Sequence, residues 1–289
     1  HYEDILATYL VKLSTLSISP ADSKLTALPI TENGRFTLNG KSYQLEINNG
    51  KNHLHGVFSS IVWEVKEAND ERIVFTHFSP AEEEGYPGDM TVTVTYSLEG
   101  AAIVLDYVAS ATEDTPASMT NHAYFNLNGY ENPTALDHTL TVYANRYTVV
   151  DESLIPTGER RSVDDTPYDL REGAVISSRF KGDFDGYDTN FELVKNEKKI
   201  FGRRDLSLAG RLAGESVEMA CYTDMPCMQV YTAGFLGNGP DFKGGVKAQP
   251  YHAVCLETQY EPDAVHRGEG ILRAGDVFHH TTAYVFSRH

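Results

Sequence analysis

Thr91-Val92-Thr93-Val94-Thr95-Tyr96-Ser97-Leu98 alternates without a break. Val92, Val94, Tyr96 and Leu98 fall on one side and threonine or serine on the other, the period-two pattern of a strand with one buried face. Comparable runs occupy residues 72–78, 103–108, 139–150, 228–232, 253–259 and 282–286. Turn residues separate them, as in Asn39-Gly40, Asn49-Gly50, Tyr86-Pro87-Gly88, Glu99-Gly100 and Asn238-Gly239-Pro240. Many short strands joined by polar turns predict an all-β sandwich or barrel rather than βαβ units. Helical periodicity is rare, and its best case is residues 3–13, where Ile5, Leu6, Tyr9, Leu10 and Leu13 share a stripe. Residues 14–31, rich in Ser, Thr, Ala and Pro, read as a loop. With no internal repeat and no shift in composition, residues 1–289 form one expected domain.

Acidic side chains outnumber basic ones by 41 to 24, a formal charge of -17. That balance disfavours nucleic acid, anionic membranes and strongly anionic substrates, and leaves a small neutral molecule as the natural partner. No apolar run is long enough to span a membrane, and no signal-peptide layout opens the chain. Cys221, Cys227 and Cys255 are odd in number and lack Cys-x-x-Cys spacing, so free thiols in a reducing compartment are expected. The single Asn-x-Thr triplet, Asn132-Pro133-Thr134, is blocked by its proline. Together these features place the protein in the cytoplasm.

Four polar stretches carry candidate chemistry. Read as a strand, Thr120-Asn121-His122-Ala123-Tyr124-Phe125-Asn126-Leu127-Asn128-Gly129 presents His122, Tyr124, Asn126 and Asn128 on one face and Ala123, Phe125 and Leu127 on the other. Such a face suits a hydroxyl-rich ligand, with one imidazole able to move a proton near neutral pH. The alternative is a structurally satisfied histidine beside a turn. In Ala253-Val254-Cys255-Leu256-Glu257-Thr258-Gln259, alternation sets Glu257 and Gln259 opposite Val254 and Leu256. A carboxylate in so apolar a run needs a partner or a role.

Asn48-Asn49-Gly50-Lys51-Asn52-His53-Leu54-His55-Gly56 is a polar loop whose His-x-His pair invites a metal reading. No further ligand follows closely, Glu64 being the first carboxylate after it, so hydrogen bonding to a sugar hydroxyl is the preferred role. Asp183-Phe184-Asp185-Gly186-Tyr187-Asp188-Thr189-Asn190-Phe191 is crowded with carboxylates but lacks the ligand ladder of a calcium loop. Gly237-Asn238-Gly239 belongs to no strand-glycine-helix unit, and nucleotide binding is unsupported.

Taken in order, Asn33–Gly40, Asn49–Gly56, Glu84-Gly85-Tyr86-Pro87-Gly88, Asn121–Gly129, Gly186-Tyr187-Asp188, Gln229-Val230-Tyr231-Thr232, Cys255–Gln259 and Pro262-Asp263-Ala264-Val265-His266 resemble the aldose 1-epimerase (galactose mutarotase) family. The resemblance implies a large antiparallel β-sandwich. It implies Glu257 as general base and His122 as general acid, with His55, Asp188 and Gln229 holding the sugar and Asn52 of the same loop joining them. The implied activity is interconversion of the α- and β-anomers of a neutral hexose, galactose or glucose, without cofactor or metal. The chain departs from the family at Ser19–Ile30, which contains no arginine where the family carries one, and in the strands expected before residue 1. An altered stretch in an active enzyme, or a divergent, truncated member acting as a sugar-binding or regulatory protein, are the two expectations that follow. A sheet edge exposed by missing strands would need a cover, so the expected state is monomer or homodimer.

Overall fold

The computed structural model describes residues 25–288 apart from Ala27, Ser60, Gly239 and Pro240. The expected helix at residues 3–13 and the first part of the loop expected at 14–31, Lys24 included, lie outside the described residues. Among the described residues the helices are short 3-10 turns and every longer element is a strand.

Two antiparallel sheets dominate. Ten strands form the larger: Ala174–Val175, Thr139–Val142, Arg204–Ala213, Val217–Thr223, Val277–Arg288, Ala102–Ala111, Met90–Glu99, Arg72–Ser79 and Glu64–Ala68 in spatial order, with Lys198–Phe201 paired beside Arg204–Ala213. The smaller has the order Pro156–Ser162, Ala144–Val150, Asp188–Leu193, Cys227–Tyr231 and Cys255–Gln259. The Thr91–Leu98 alternation is realised inside Met90–Glu99, where Val92 and Val94 are buried and the threonines between them less so.

The main core lies between these sheets, joining Val92, Val94, Tyr107 and Tyr284 of the larger to Tyr147, Phe191, Met228, Val230 and Leu256 of the smaller. The Tyr284 hydroxyl donates to the Leu256 carbonyl at 2.8 Å and pins one sheet to the other. Burying a side chain of this size contributes roughly 1.5–3 kcal/mol, so the facing apolar rows fix which side of each strand looks inward.

Two expectations are corrected. Residues 139–150 are two strands in different sheets, because the chain crosses over at Tyr143 and the register shifts between Ala144 and Arg146. Of the stretch expected as a loop, Leu25–Thr26 pairs with Thr120–Asn121 and Leu28–Thr31 pairs with His53–His55. Both pairings are irregular or very short, which is why no periodicity betrays them.

Candidate active site

Because directly opposed residues in an antiparallel sheet share a face, the registers of the smaller sheet line up one continuous row. Arg160 opposes Thr148, Asn190 opposes Gln229, and Gln229 opposes Glu257. The Asn190 Nδ2 closes the row by donating to Thr148 Oγ1 at 2.9 Å. A second row, Asp188–Tyr231–Cys255, runs beside it. The alternate residues Phe191, Met228, Val230 and Leu256 fill the core, so this polar set is held on the outer face.

The Thr120–Asn121 strand delivers His122 over that face. Its Nε2 stands 3.7 Å from Glu257 Oε1, and both side chains are more than nine-tenths buried. Rings surround the imidazole: His55 at 5.4 Å between centroids, Tyr124 at 5.0 Å and Tyr231 at 6.0 Å. His55 adopts φ 68, a left-handed conformation that costs a non-glycine residue free energy and is held here by pairing with Leu28. Gln229 Nε2 donates to Asp188 Oδ1 at 2.7 Å.

Electrostatics follow from enclosure. Burial, reinforced by the neighbouring Asp188 charge, pushes the Glu257 carboxyl well above the ordinary carboxylate range. Asp188 sits at the open lip of the sheet, yet surrounding protein desolvates its carboxyl and raises it, with the Gln229 hydrogen bond pulling the other way. Burial also raises the phenols of Tyr124 and Tyr231. Neither Glu257 nor Asp188 pairs with an arginine or lysine among the described residues. A buried carboxyl whose pKa is raised by its enclosure, facing an imidazole, is an acid/base pair able to move protons at two points of one ligand.

Glu257, His122, His55, Asp188 and Gln229 are thus brought together. Asn52 is used otherwise: its Oδ1 accepts from Asn33 N at 3.0 Å and its Nδ2 donates to the Ser153 carbonyl at 3.4 Å, which fixes the loop ahead of His55. His53 turns away, with Nδ1 on the Glu46 carbonyl at 2.6 Å and Nε2 on the Tyr86 hydroxyl at 2.8 Å, and burial lowers its pKa. The predicted strand through 120–129 ends at Asn121, with only a bridge from Phe125 to Val254 beyond it. Past that bridge Asn126 Nδ2 donates to the carbonyls of Asn132, Thr134 and His252, and Asn128 Oδ1 accepts from Glu215 N. These two amides build a turn and do not join His122 and Tyr124. Among the described residues no group of three or more His, Cys, Asp or Glu is arranged to hold a metal ion.

Tyr231 and Asn190 lie in the two rows of the smaller sheet, and the sequence alone does not single them out. The signal is present two residues from Gln229 and Asp188, but it acquires meaning only once the strands are paired.

The profile of the family described as Aldose 1-epimerase matches residues 28–285. Galactose mutarotase of Sus scrofa is 40% identical over 261 residues, spanning 88% of this chain and 75% of that protein. The Homo sapiens galactose mutarotase is 39% identical over 262 residues with the same coverages. Aldose 1-epimerase of Escherichia coli (strain K12) is 32% identical over 269 residues, covering 88% and 76%. Among solved structures, a GalM/aldose epimerase homologue from C. elegans superposes with a TM-score of 0.80 at 27% identity, covering 92% of this chain and 82% of that one.

Proposed function

The chain belongs to the aldose 1-epimerase family and is an isomerase of that class, and from that premise we propose how its site carries out the reaction. Glu257 is the general base and His122 the general acid; His55, Asp188, Gln229 and Tyr231 hold the sugar, and Asn52 acts by fixing the loop that carries His55. The observation that carries this reading is the buried Glu257 carboxyl facing His122 Nε2 at 3.7 Å on a polar sheet face.

The steps balance without a cofactor. Glu257 takes the proton of the C1 hydroxyl as its O–H electrons form the aldehyde C=O. The bond between C1 and the ring oxygen breaks, and the ring oxygen takes a proton from the His122 imidazolium. Rotation about C1–C2 presents the other carbonyl face. Reclosure returns the ring-oxygen proton to His122 and the Glu257 proton to O1, so the enzyme is regenerated. Each positioned proton transfer contributes roughly 10²–10⁴-fold.

The substrate we assign is a neutral hexose, galactose or glucose. A polar face bearing carboxylates and an amide suits a ring dense in hydroxyls, and the chain's net charge of -17 disfavours an anionic sugar. The three cysteines are free and buried, which supports a reducing, cytoplasmic setting. No helix of the described residues is long and apolar enough to cross a membrane. Monomer or homodimer is the expected assembly, which light scattering decides.

Polarimetry of freshly dissolved α-D-galactose tests the assignment. Decay accelerated by the protein and not by Glu257→Gln supports it. No acceleration by protein that binds galactose calorimetrically would leave a sugar-binding protein instead.

A further inference from the structure

Beside the site, along the same face of the smaller sheet, a buried chain of hydrogen bonds fixes the direction of one amide. Glu261 is 3% exposed, and its Oε2 receives Arg160 Nη2 at 2.7 Å and Arg267 Nη2 at 2.8 Å. Burial alone would raise this carboxyl, but the Arg160 and Thr148 hydrogen bonds outweigh it and hold the group ionised. An ionised carboxylate only accepts. The Thr148 hydroxyl therefore spends its one proton on Glu261 Oε1 at 2.7 Å, and its lone pair accepts from Asn190 Nδ2 at 2.9 Å. Asn190 is left with its carbonyl oxygen aimed away from this cluster.

Its cross-strand neighbour has a matching orientation. Gln229 Nε2 donates to Asp188 Oδ1, so the Gln229 carbonyl oxygen is turned from that carboxyl. Asn190 Oδ1 and Gln229 Oε1 are both buried and have no hydrogen-bond partner. Cys227, two residues before Gln229 on the same strand face, lies beside Asn190, but a thiol is a weak donor. Two neighbouring orphaned acceptors next to the catalytic carboxyl are costly unless a donor from outside completes them.

We infer that Asn190 is a specificity-determining residue, whose Oδ1 acts with Gln229 Oε1 to receive one hydroxyl of the bound hexose. The inference rests on the sugar reading above and extends it to a residue behind the Asp188–Gln229 pair. The Glu261–Thr148 relay is the positioning element, because it prevents the amide from turning its NH2 toward the sugar.

Calorimetric binding of D-galactose and its monodeoxy analogues to wild type, Asn190→Ala and Asn190→Asp tests this. Asn190→Ala weakens galactose about tenfold, the size of one hydrogen bond. One deoxy analogue binds wild type about as weakly as galactose binds the variant, and loses nothing further on Asn190→Ala. Asn190→Asp, which retains an oxygen at that place, still distinguishes galactose from that analogue. Equal weakening of galactose and every analogue, or no weakening, would mean a bridging water or a purely structural amide and would overturn the inference. Equal loss of discrimination in Ala and Asp variants would do the same. A wild type that binds no hexose removes the sugar reading and this inference together. One that binds without turning over removes only the epimerase mechanism, since the binding pattern still decides Asn190.

Discussion

His122 Nε2 and Glu257 Oε1 face each other at 3.7 Å, within ion-pair reach but beyond a good hydrogen bond. Both partners are supplied from different parts of the chain, one by a two-residue strand and the other by the last strand of the smaller sheet. The gap matters chemically. A tight pair would exchange its proton internally, whereas a loose one can be parted by a pyranose that takes one group at O1 and the other at the ring oxygen.

Replacing Glu257 by Gln keeps shape and removes the base. Mutarotation should fall by roughly 10²–10⁴-fold or more, the worth of one positioned proton transfer. The fold should survive, because a neutral amide is cheaper to bury than a carboxylate. Polarimetry read beside a thermal melt checks both halves, and a folded variant retaining a tenth of wild-type activity would remove Glu257 from the base role.

His122→Asn separates proton transfer from packing. The amide fills part of the space among His55, Tyr124 and Tyr231 but cannot protonate the ring oxygen. The expected loss lies mainly in kcat, by roughly 10²-fold or more, with KM for galactose changed far less. A loss confined to KM would make His122 a binding group only.

The pH profile carries a sign that follows from enclosure. Glu257 works as a base only when ionised, and its raised pKa places the acidic limb of kcat/KM above the ordinary carboxylate range. Burial is the larger cause and Asp188 the second. Asp188→Asn removes that neighbouring negative charge, so the limb should move to lower pH while overall activity falls. Stability follows the same linkage: a carboxyl raised in the folded state favours folding while protonated, and that contribution fades as pH climbs from its unfolded value through its folded one. Thermal melts across that window should show a shallower decline in Asp188→Asn. An unmoved limb would mean that Asp188 does not act on Glu257.

The strand periodicity of Thr91–Leu98 and of residues 253–259 was legible because one face of each packs into a single apolar core. Glu257 stood out for the same reason, as a charge inside an apolar run. What stayed hidden depends on pairing between distant segments. Nothing near Thr148, Arg160 or Glu261 in the sequence says that they adjoin Asn190, and residues 25–31 are too short and irregular in their pairing to show a period. Alternation sets Asn126 and Asn128 on the face of His122, but the chain leaves regular strand structure after Asn121 and these amides serve a turn.

Chelators should leave activity unchanged. His53, half of the His-x-His pair, has both ring nitrogens engaged by Glu46 and Tyr86, and the acid/base steps need no Lewis acid. Activity after prolonged EDTA treatment and desalting is the measurement, and a loss restored by a divalent cation would reopen the metal reading.

Gly186 places Asp188 by a backbone route that no other residue follows easily. Its φ of 146 lies in a region that side chains rarely adopt, and a Cβ there would stand 2.6 Å from Thr232 Oγ1 and 3.3 Å from the Tyr251 ring. That threonine oxygen accepts the Tyr187 amide at 2.9 Å, one residue before Asp188. Gly186→Ala therefore forces either the turn or Thr232 to move, at a cost of roughly 1–3 kcal/mol. The melting temperature should fall and KM for galactose should rise, because Asp188 and its Gln229 bond shift with the turn. An unchanged KM in a destabilised variant would show that Asp188 is positioned by the sheet alone and owes nothing to the glycine.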